Sequence, residues 1–590
     1  MHKISLKRTS PPFGTQDFEM MPMVGWYDPS QLIQTAQQVA TSTLFGRHAD
    51  HRLIEAVTIG TNEIFDRSRV SDGPENEPFE YWFDYVADTG DGWDSTCAVA
   101  YHLSQPILEA TTSKDVKVVT RAGRLLIFGG DEVYPTPSRE EYKKRLKGPY
   151  EAVRANTSEP SPEVFAIPGN HDWYDSLVAF SRTFLTGRWF AGWKCRQQRS
   201  YFAVKLPWGW WLLGTDVQLG SDIDQPQIDY FKRAAAEMKP EDQIILCNAE
   251  PHWIFSKMYG TFDNELYNES NLNYLEDCVL QKRIEIMVAG DLHHYRRHEK
   301  AEENKSSLHK ITAGGGGAFL HPTHGQDVSE LDGGFHLKAS FPDPHTSARL
   351  CWRNLLFPVL NYKFGILPAV LYVITAWTVK ANVGGHGIKE LGAVLKLTFS
   401  ETLRNPMAAF WVVLLFLGIY LFTDTHSKTY RILAGTIHGL SHLAAVFFIG
   451  WGSAALSMHI PGYPLAFDDP AQLLISGLLI FVAGWVAGSV IMGLYLLVSL
   501  NVFKRHMNES FSSLAIPDWK NFLRFKLDAE GLTIYPIGLR RVPRRWKVAG
   551  DVLEPDDPEA TLPELIEDPI RIPHKTPGQN NRQAAPAQMT

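Results

Sequence analysis

Five short polar clusters, each placed just after a short apolar run, constrain this chain more than any other feature of its sequence. Examples of the runs are FDYVA before Asp88, LLIFG before Gly130, VFAIP before Gly169 and IEIMVA before Gly290. Each run predicts a buried strand, and strand ends in an open α/β sheet are where ligands bind. We therefore expect the clusters to form one site. They are Asp88-Thr89-Gly90, Gly130-Asp131-Glu132-Val133-Tyr134, Gly169-Asn170-His171-Asp172, Pro251-His252 and Gly290-Asp291-Leu292-His293.

The composition of the chain changes near residue 350. Before it, strands alternate with stretches of helical periodicity such as Gln227–Met238, which predicts a layered α/β domain. After it come apolar segments of a length suited to crossing a bilayer as helices, and their low charge favours spans over buried core helices. The predicted spans are Leu355–Val379, Met407–Phe422, Ile432–Met458 and Leu473–Leu500.

The charges of the connecting segments predict an orientation. The loop 461–472 has no Lys or Arg, whereas the segment after the last span is rich in both, so that end should be cytoplasmic. Four spans then place the N-terminal domain in the cytoplasm too, in agreement with an N-terminus that lacks a signal-peptide core. The loop 380–404 disagrees, since it carries four basic residues. Either it lies on the membrane interface as an amphipathic stretch, or the first span is miscounted.

Four domains follow from these patterns. We expect a catalytic domain at 1–350, a transmembrane domain of four helices at 351–501, a small basic cytoplasmic β-rich module at 502–548 and a disordered tail at 549–590. The module is predicted from FLRFKLDAEGLTIYPI, two strands around a glycine turn, and the tail from its Pro-rich, polar composition.

Bulk charge and cysteine content narrow the range of partners. The net charge of −8 gives no basic character, so we expect no nucleic-acid partner. The five cysteines are scattered without a C-x-x-C spacing, which argues against a disulfide framework or a structural zinc site and fits a reducing compartment.

In order and spacing, the clusters resemble the calcineurin-like metallophosphoesterases, in the variant of the purple acid phosphatases. That pattern is D-x-G, G-D-x-x-Y, G-N-H-D/E, a single His and G-H-x-H, and the match covers about residues 80–320. The resemblance implies a four-layer α/β/β/α sandwich, here followed by the four-helix transmembrane region and the β-rich module. It also implies a metal-dependent phosphoric ester hydrolase.

The resemblance assigns metal-ligand roles residue by residue. It implies that Asp131 bridges two ions, because a carboxylate has two oxygens to offer to metals about 3.5–4 Å apart. The first ion would be bound by Asp88, Tyr134 and His293, and the second by Asn170 and His252.

The chain departs from the family pattern in two places. Gly90 stands where the commoner motif has His, and Tyr134 can compensate. Asp291 stands where G-H-x-H has its first His, so either Asp291 binds the second metal or His294 does so from a shifted loop; we prefer Asp291. The anionic oxygen donors favour manganese or iron, divalent or mixed-valence, with zinc as the alternative.

The mechanism that the resemblance implies is attack by a hydroxide bound to the two metals. His171 would give a proton to the leaving group, and Asp172 would orient that imidazole by accepting its other N–H. His294, and His321 and His324 of the HPTH stretch, are candidate substrate contacts.

Three further features have two interpretations each. The stretch 313–317, an alanine followed by four glycines, either approaches a phosphate or forms a flexible turn. Asp91 and Asp94 either face the pocket or solubilise their loop. His438 and His442, four apart within the third span, either bind a metal or, as we prefer, form hydrogen bonds between helices.

We expect a multi-pass membrane protein that hydrolyses a phosphate mono- or diester, and the anchor suits a lipid-linked substrate. The alternative is a membrane sensor or channel-like protein whose phosphoesterase fold binds metal and phosphate without turnover. Asp291 favours that alternative, and the intact Asp88, Asp131, Asn170 and His171 argue against it.

Overall fold

The structure is a computed structural model that describes residues 2–8, 14–35, 37, 64–69, 79–154, 162–217, 222–259, 270–301, 307–383, 391–423, 427–458 and 469–575. The chain forms two units. The first, here called the sheet unit, comprises Met1–Val24, Gln34–Thr346 and Ala515–Thr590. The second, the helical unit, comprises Gly25–Ile33 and Ser347–Leu514.

The strands of the sheet unit run through both of its long sequence segments. In the first half of the chain they are β1 His2–Arg8, β2 Gly14–Met20, β3 Phe65–Asp66, β4 Tyr81–Val86, β5 Ile107–Thr111, β6 Lys117–Arg121, β7 Leu125–Phe128, β8 Glu163–Ala166, β9 Trp189–Phe190, β10 Trp193–Cys195, β11 Phe202–Lys205, β12 Trp210–Gly214, β13 Gln243–Cys247 and β14 Ile284–Ala289. They continue with β15 Tyr295–Ala301, β16 Ser307–Ala313, β17 Glu330–Leu331, β18 Phe335–Phe341, β19 Lys520–Asp528, β20 Gly531–Leu539, β21 Trp546–Ala549, β22 Val552–Pro555, β23 Glu564–Leu565 and β24 Ile570–Pro573.

Two large sheets carry the site. One has the order β6-β5-β23-β20-β19-β4-β7-β8-β10-β9, with β24 on β20, and the other has the order β17-β18-β15-β16-β14-β13-β12-β11-β3. Strands β4, β7 and β8 are parallel neighbours in the first sheet. Strands β12, β13, β14 and β16 are parallel neighbours in the second. The polar clusters therefore follow adjacent strands at their carboxyl ends, as the sequence predicts.

Alternating side chains of these strands enter different cores. Phe83 of β4 packs in the core between the sheets, whereas Trp82 packs in an outer core with the helix Trp93–Ser104. Ile245 of β13 likewise faces inward, and its neighbours face the helix Gln225–Ala236. A strand buried on both faces has no polar side, which is why the runs are continuously apolar. The result is a mixed α/β fold with helix, sheet, sheet and helix layers.

The C-terminal strands correct the predicted division into domains. β19 pairs antiparallel with β4, and β20 pairs with β19, so neither belongs to a separate basic module at 502–548. Phe522 and Leu523 lie in different cores, and a two-stranded module cannot cover both faces. The tail is also ordered as far as residue 575, since Leu565 and Ile572 of β23 and β24 are buried. Residues 576–590 lie outside the described residues.

Helices complete both units. Those of the sheet unit are Trp93–Ser104, Arg139–Glu141, Gly148–Val153, Val178–Phe184, Gln225–Ala236, His252–Tyr259 and Ser270–Tyr274, with π-helical turns at Tyr142–Lys147 and Leu275–Leu280 and 3₁₀ turns at Asp172–Asp175, Pro207–Gly209, Gln281–Arg283 and Pro558–Thr561. From Pro344 to residue 512 they are Pro344–Cys351, Phe357–Leu360, Ile366–Val383, Leu391–Arg404, Pro406–Phe422, Lys428–Met458, Pro470–Asn501 and Met507–Ser512, with 3₁₀ turns at Trp352–Leu356 and Tyr362–Gly365.

The predicted apolar segments fall on helices of the helical unit. Within the described residues, Tyr362–Val379, Lys428–Met458 and Pro470–Asn501 are long and apolar enough to cross a membrane. Leu391–Arg404 and Pro406–Phe422 pass the same test as a pair, bent by 98°. The predicted first span begins too early, because residues before Tyr362 form short turns. Residues 384–390 and 459–468, within the two loops used to predict orientation, lie outside the described residues.

Candidate metal centre

Three aspartates that follow strands share an uncommon backbone conformation. Asp88, Asp131 and Asp291 have φ angles of 56°, 53° and 64°. A left-handed backbone costs a residue other than glycine roughly 1–2 kcal/mol. Such strain persists where surrounding structure imposes it, and it is concentrated at functional sites. Here it lies just beyond β4, β7 and β14.

The hydroxyl of Tyr134 is the point on which the predicted ligands converge. Its Oη lies 3.2 Å from Asp88 Oδ1, 3.0 Å from Asp131 Oδ2 and 3.0 Å from His293 Nε2. His293 Nδ1 lies 2.7 Å from the carbonyl oxygen of Phe319 and donates to it, which leaves a lone pair on Nε2. The hydroxyl therefore meets two carboxyl groups and one imidazole lone pair, a set of groups whose negative charge either bound protons or a cation must neutralise.

Burial and repulsion make this cluster expensive without a cation. Burial, then the charges of Asp131 and Asp291, raises the pKa of Asp88 well above its usual value. Burial and Glu250 raise that of Asp291. Burial and Asp172 raise the pKa of Asp131 to about 8. Buried carboxylates are kept ionised only by a nearby positive charge, so a metal ion fits this set of donors.

A metal site here depends on the phenol of Tyr134 as one of its ligands. Among the described residues, no group of three or more His, Cys, Asp and Glu side chains is spaced to hold a metal ion by itself. An ion at this site would therefore need Tyr134 as a ligand beside Asp88, Asp131 and His293. Those four are the residues predicted to surround the first metal.

Of the residues predicted for the second metal, His252 has other side chains near both of its ring nitrogens, whereas the Asn170 contact involves the amide nitrogen and not the oxygen. Nε2 of His252 lies 3.4 Å from Glu276 Oε1, and its Nδ1 lies 3.5 Å from Asn248 Nδ2. Asn170 Nδ2 lies 3.5 Å from Tyr174 Oη. Beyond the effect of burial, the charge of Asp131 repels the Asp291 carboxylate and raises its pKa. The backbone N of Asp291 donates to Asp88 Oδ1 at 3.0 Å.

Two charged residues near the site were not predicted from the sequence. Glu250 directly precedes the fourth cluster, Pro251-His252, and this adjacency is the only feature of the sequence that could have indicated it. Lys520 of β19 is fully buried and donates to the carbonyl of Ala318. Burial lowers the pKa of Lys520 to about 8, while Asp91 is the largest influence that raises it. Lys520 gave no signal because it is remote in sequence from every cluster.

The imidazole of His171 has a different partner from the predicted one. Its Nδ1 lies 2.7 Å from the carbonyl oxygen of Pro135, which fixes Nε2 as the atom available for proton exchange. Asp172 instead accepts from the backbone N of Gly169 at 2.9 Å and of Glu132 at 3.3 Å. Its carboxylate thus ties together the loops after β7 and β8. The predicted orienting role of Asp172 is taken by the Pro135 carbonyl, because a backbone partner leaves no trace in a motif.

Glycines allow the carboxylates to pack this closely. A Cβ at Gly169 would lie 2.1 Å from Asp131 Oδ1, and one at Gly314 would lie 1.9 Å from Asp88 Oδ2. The run 313–317 is buried, so it is neither a flexible turn nor an exposed phosphate loop. It lets a strand end approach the predicted ligand Asp88.

The predicted substrate contacts are buried. His294, His321 and His324 are exposed by 1%, 8% and 8%. The ring of His321 stacks on that of His293 with centroids 3.8 Å apart, so it supports a predicted ligand from behind. A substrate contact needs an open face, which this structure does not give to these histidines.

The two remaining aspartates are structural. Asp91 accepts from the backbone N of Val24 at 2.7 Å and of Phe319 at 3.1 Å. Asp94 accepts from Trp546 Nε1 at 3.0 Å. Asp91 therefore fixes the Phe319 carbonyl to which His293 donates, and neither aspartate is a solvent-facing loop residue.

In the helical unit, His438 and His442 form hydrogen bonds. Their Nε2 atoms lie 3.1 Å apart, and His442 Nδ1 lies 2.8 Å from Tyr372 Oη on a neighbouring helix. This arrangement favours the hydrogen-bonding interpretation of the pair over a metal site.

No protein-family model matches the chain, and no curated protein matches it. Among solved structures, GAP50, the anchor in the inner membrane complex of Plasmodium, is 13% identical with a TM-score of 0.30, over 44% of this chain and 84% of its own. Purple acid phosphatase PPD1 from yellow lupin seeds is 13% identical with a TM-score of 0.27, over 41% of this chain and 45% of its own. PhoD is 10% identical with a TM-score of 0.24, over 42% and 59%. The chain thus spans less than two thirds of the latter two proteins, and with scores this low the functional assignment depends on the side chains of the site.

Proposed function

We propose that the sheet unit is a metal-dependent phosphoesterase that hydrolyses a phosphate mono- or diester at a membrane. The observation that carries this proposal is the meeting of Asp88, Asp131 and His293 on the single hydroxyl proton of Tyr134. The order of the clusters supports the metallophosphoesterase family, and the layered sheets are of the kind that family would need. The proposal includes a cytoplasmic sheet unit and a lipid-linked ester as the substrate suited to the anchor.

The residues divide between two ions. Asp88, Asp131, Tyr134 and His293 would hold the first, and Asp131, Asn170, His252 and Asp291 would hold the second. Bound there, the ions would act as Lewis acids on the phosphoryl group and lower the pKa of a water molecule.

Protein groups supply orientation and proton transfer. His171 is partly exposed, and with Nδ1 bonded to Pro135 its Nε2 can exchange a proton with the leaving oxygen. The Phe319 carbonyl holds His293 with Nε2 toward Tyr134. Asp172 holds the loops that carry Asp131 and Asn170, so its effect on the reaction is one of positioning.

The test is hydrolysis of an aryl monophosphate and a bis-aryl phosphate by the full chain in detergent, with manganese or iron supplied. The full chain is needed because β19 lies in the middle of the sheet beside β4. Asp131→Asn should lower kcat by more than the ~10–100-fold typical of changes outside the metal ligands. Asp94→Asn is the matched control, since an amide oxygen can still accept from Trp546, and it should keep its activity.

The preferred ester would separate a mono- from a diesterase. Equal activity in Asp131→Asn and the unchanged protein would reject the metal site. Stoichiometric binding of metal and phosphate without turnover would instead support a membrane sensor or channel-like protein with a phosphoesterase fold.

A further inference from the structure

A large apolar cavity lies within the helical unit. Its volume is about 1290 Å³, and it is only partly enclosed. Side chains from five helices form its wall, among them Trp377, Phe399, Val412, Trp451 and Leu474. Protein interiors contain few voids larger than a water molecule, so a space of this size is unusual and is a candidate binding site.

Water does not suit this cavity. The polar side chains in its wall are mainly hydroxyls, and Thr375 is already engaged. Thr375 donates to the carbonyl of Leu371 at 2.7 Å and accepts from Trp411 Nε1 at 3.0 Å. A buried water needs two to four polar partners, and apolar cavities without them stay dry. The occupant must therefore be apolar.

The helix Leu391–Arg404 leaves an apolar stripe uncovered on this cavity. Leu395, Phe399 and Leu403 follow one another at intervals of four, line the cavity, and are 52%, 68% and 64% exposed. With 14 residues the helix is about 21 Å long, too short for the ~30 Å hydrocarbon core. Its bend of 98° from Pro406–Phe422 is compatible with one helix lying along a membrane while the other crosses it. In that arrangement the uncovered stripe of Leu395, Phe399 and Leu403 faces the acyl chains of the lipid.

We propose that this cavity binds the acyl chains of one membrane phospholipid. The cavity is larger than the ~300–1,000 Å³ typical of sites for small molecules. Its wall belongs to helices suited to spanning a bilayer, where the abundant apolar ligand is lipid hydrocarbon. The site lies in the helical unit and does not depend on the proposed phosphoesterase activity.

A glycine in the wall allows a selective test. Gly477 lines the cavity, and a Cβ added there meets nothing within 4 Å. Gly477→Leu should therefore place a side chain inside the cavity and obstruct it without a clash at Cβ. Gly418 on Pro406–Phe422 also has nothing within 4 Å of an added Cβ, but it does not line the cavity, so Gly418→Leu is the matched control.

The full chain would be reconstituted with a phosphatidylcholine that carries a photoreactive acyl chain, returned to detergent and washed. Retained lipid would be counted by native mass spectrometry, and cross-links would be mapped. We expect one lipid per chain, attached near Leu395 and Phe399, and its loss in Gly477→Leu but not in Gly418→Leu. Cross-links at Leu417 and Leu421, which are exposed outside the cavity, should be absent after washing.

Retention of no lipid would overturn the proposal, and so would equal retention in both variants. If Gly477→Leu fails to fold, the unchanged protein still decides the question. Retained label spread evenly over Leu417, Leu421 and the cavity residues would then mean bulk lipid rather than a site.

Discussion

At the scale of single residues, the site is defined by buried acid and imidazole groups crowded around one hydroxyl. Asp88, Asp131 and His293 present three acceptors to the hydroxyl of Tyr134, and the aspartates hold left-handed backbones to do so. A loop that was free to relax would lose both the crowding of these groups and the left-handed backbone of the aspartates, since each costs free energy. The combination favours a cation as the missing partner.

Replacing Tyr134 tests its assignment as a ligand. A tyrosinate bound to ferric iron absorbs visible light, so the iron-loaded protein should be pink to purple. Tyr134→Phe should abolish the colour, as measured by visible absorption at equal iron content. Colour that persists in the variant would show that another group binds the iron. Tyr142→Phe is a control, because that phenol donates to Asp172 instead.

The carboxylates predict a pH dependence for the metal-free protein. The pKa of Asp131 is raised to about 8 in the folded state, compared with about 3.9 for an unfolded aspartate. The stabilisation from its bound proton is therefore complete below about pH 4 and is lost as the pH rises toward 8. The melting temperature in chelator should fall by roughly 3–5 °C between pH 5 and pH 8.

Two comparisons check the cause of that fall. Manganese should reduce it, because the ion takes over from the proton. Asp131→Asn, which has no charge at any of these pH values, should show a shallower slope than the unchanged protein. A slope that is the same with metal, without metal and in the variant would mean that other groups are responsible.

At the scale of elements, the predicted β-strand pair near residues 522–537 exists, but its place in the fold was not predictable. A buried ion pair joins β19 to β4, with Arg524 Nε 2.7 Å from Asp84 Oδ1 and Nη2 3.2 Å from Oδ2. From the sequence, Arg524 is one of the basic residues of the predicted module at 502–548. Only its long-range partner shows that it is structural.

This ion pair predicts a non-additive pair of substitutions. Arg524→Leu leaves the Asp84 carboxylate buried without its partner and should cost about 3–5 kcal/mol of unfolding free energy. Adding Asp84→Asn should recover part of that loss, because the buried charge is gone. Arg540→Leu breaks the exposed pair with Glu564 and should cost less than about 1 kcal/mol. Chemical denaturation measures all of these, and a double variant no more stable than Arg524→Leu would contradict the account.

At the scale of the whole molecule, the sheet unit contains residues from before and after the helical unit. β4 and β19 are hydrogen-bonded neighbours in one sheet, so both sequence segments must lie on the same side of any membrane. The number of complete crossings between them must then be even. Three spanning helices alone do not satisfy this, whereas four crossings do if the bent pair Leu391–Arg404 and Pro406–Phe422 counts as one.

One cysteine allows the side of the membrane to be measured. Cys278 is exposed, and the other four cysteines are buried. If the sheet unit is cytoplasmic, a membrane-impermeant maleimide should label Cys278 in permeabilised cells but not in intact ones, with Cys278→Ser as the unlabelled control. Labelling of intact cells would place the sheet unit outside and reverse the predicted orientation.

The sequence by itself determined the strands that precede the polar clusters, the α/β class and the approximate apolar helices. These follow from local periodicity and composition, which short stretches of chain carry within themselves. It also named Tyr134 and the three residues that meet at its hydroxyl, because their motifs are local and ordered. Tertiary structure alone decided the place of β19 beside β4, the burial of Lys520, the Pro135 carbonyl as the partner of His171 and the engagement of His252 with Glu276. Each of these depends on a contact with a partner that no local pattern specifies, since strand neighbours and backbone acceptors are chosen by how the whole chain packs.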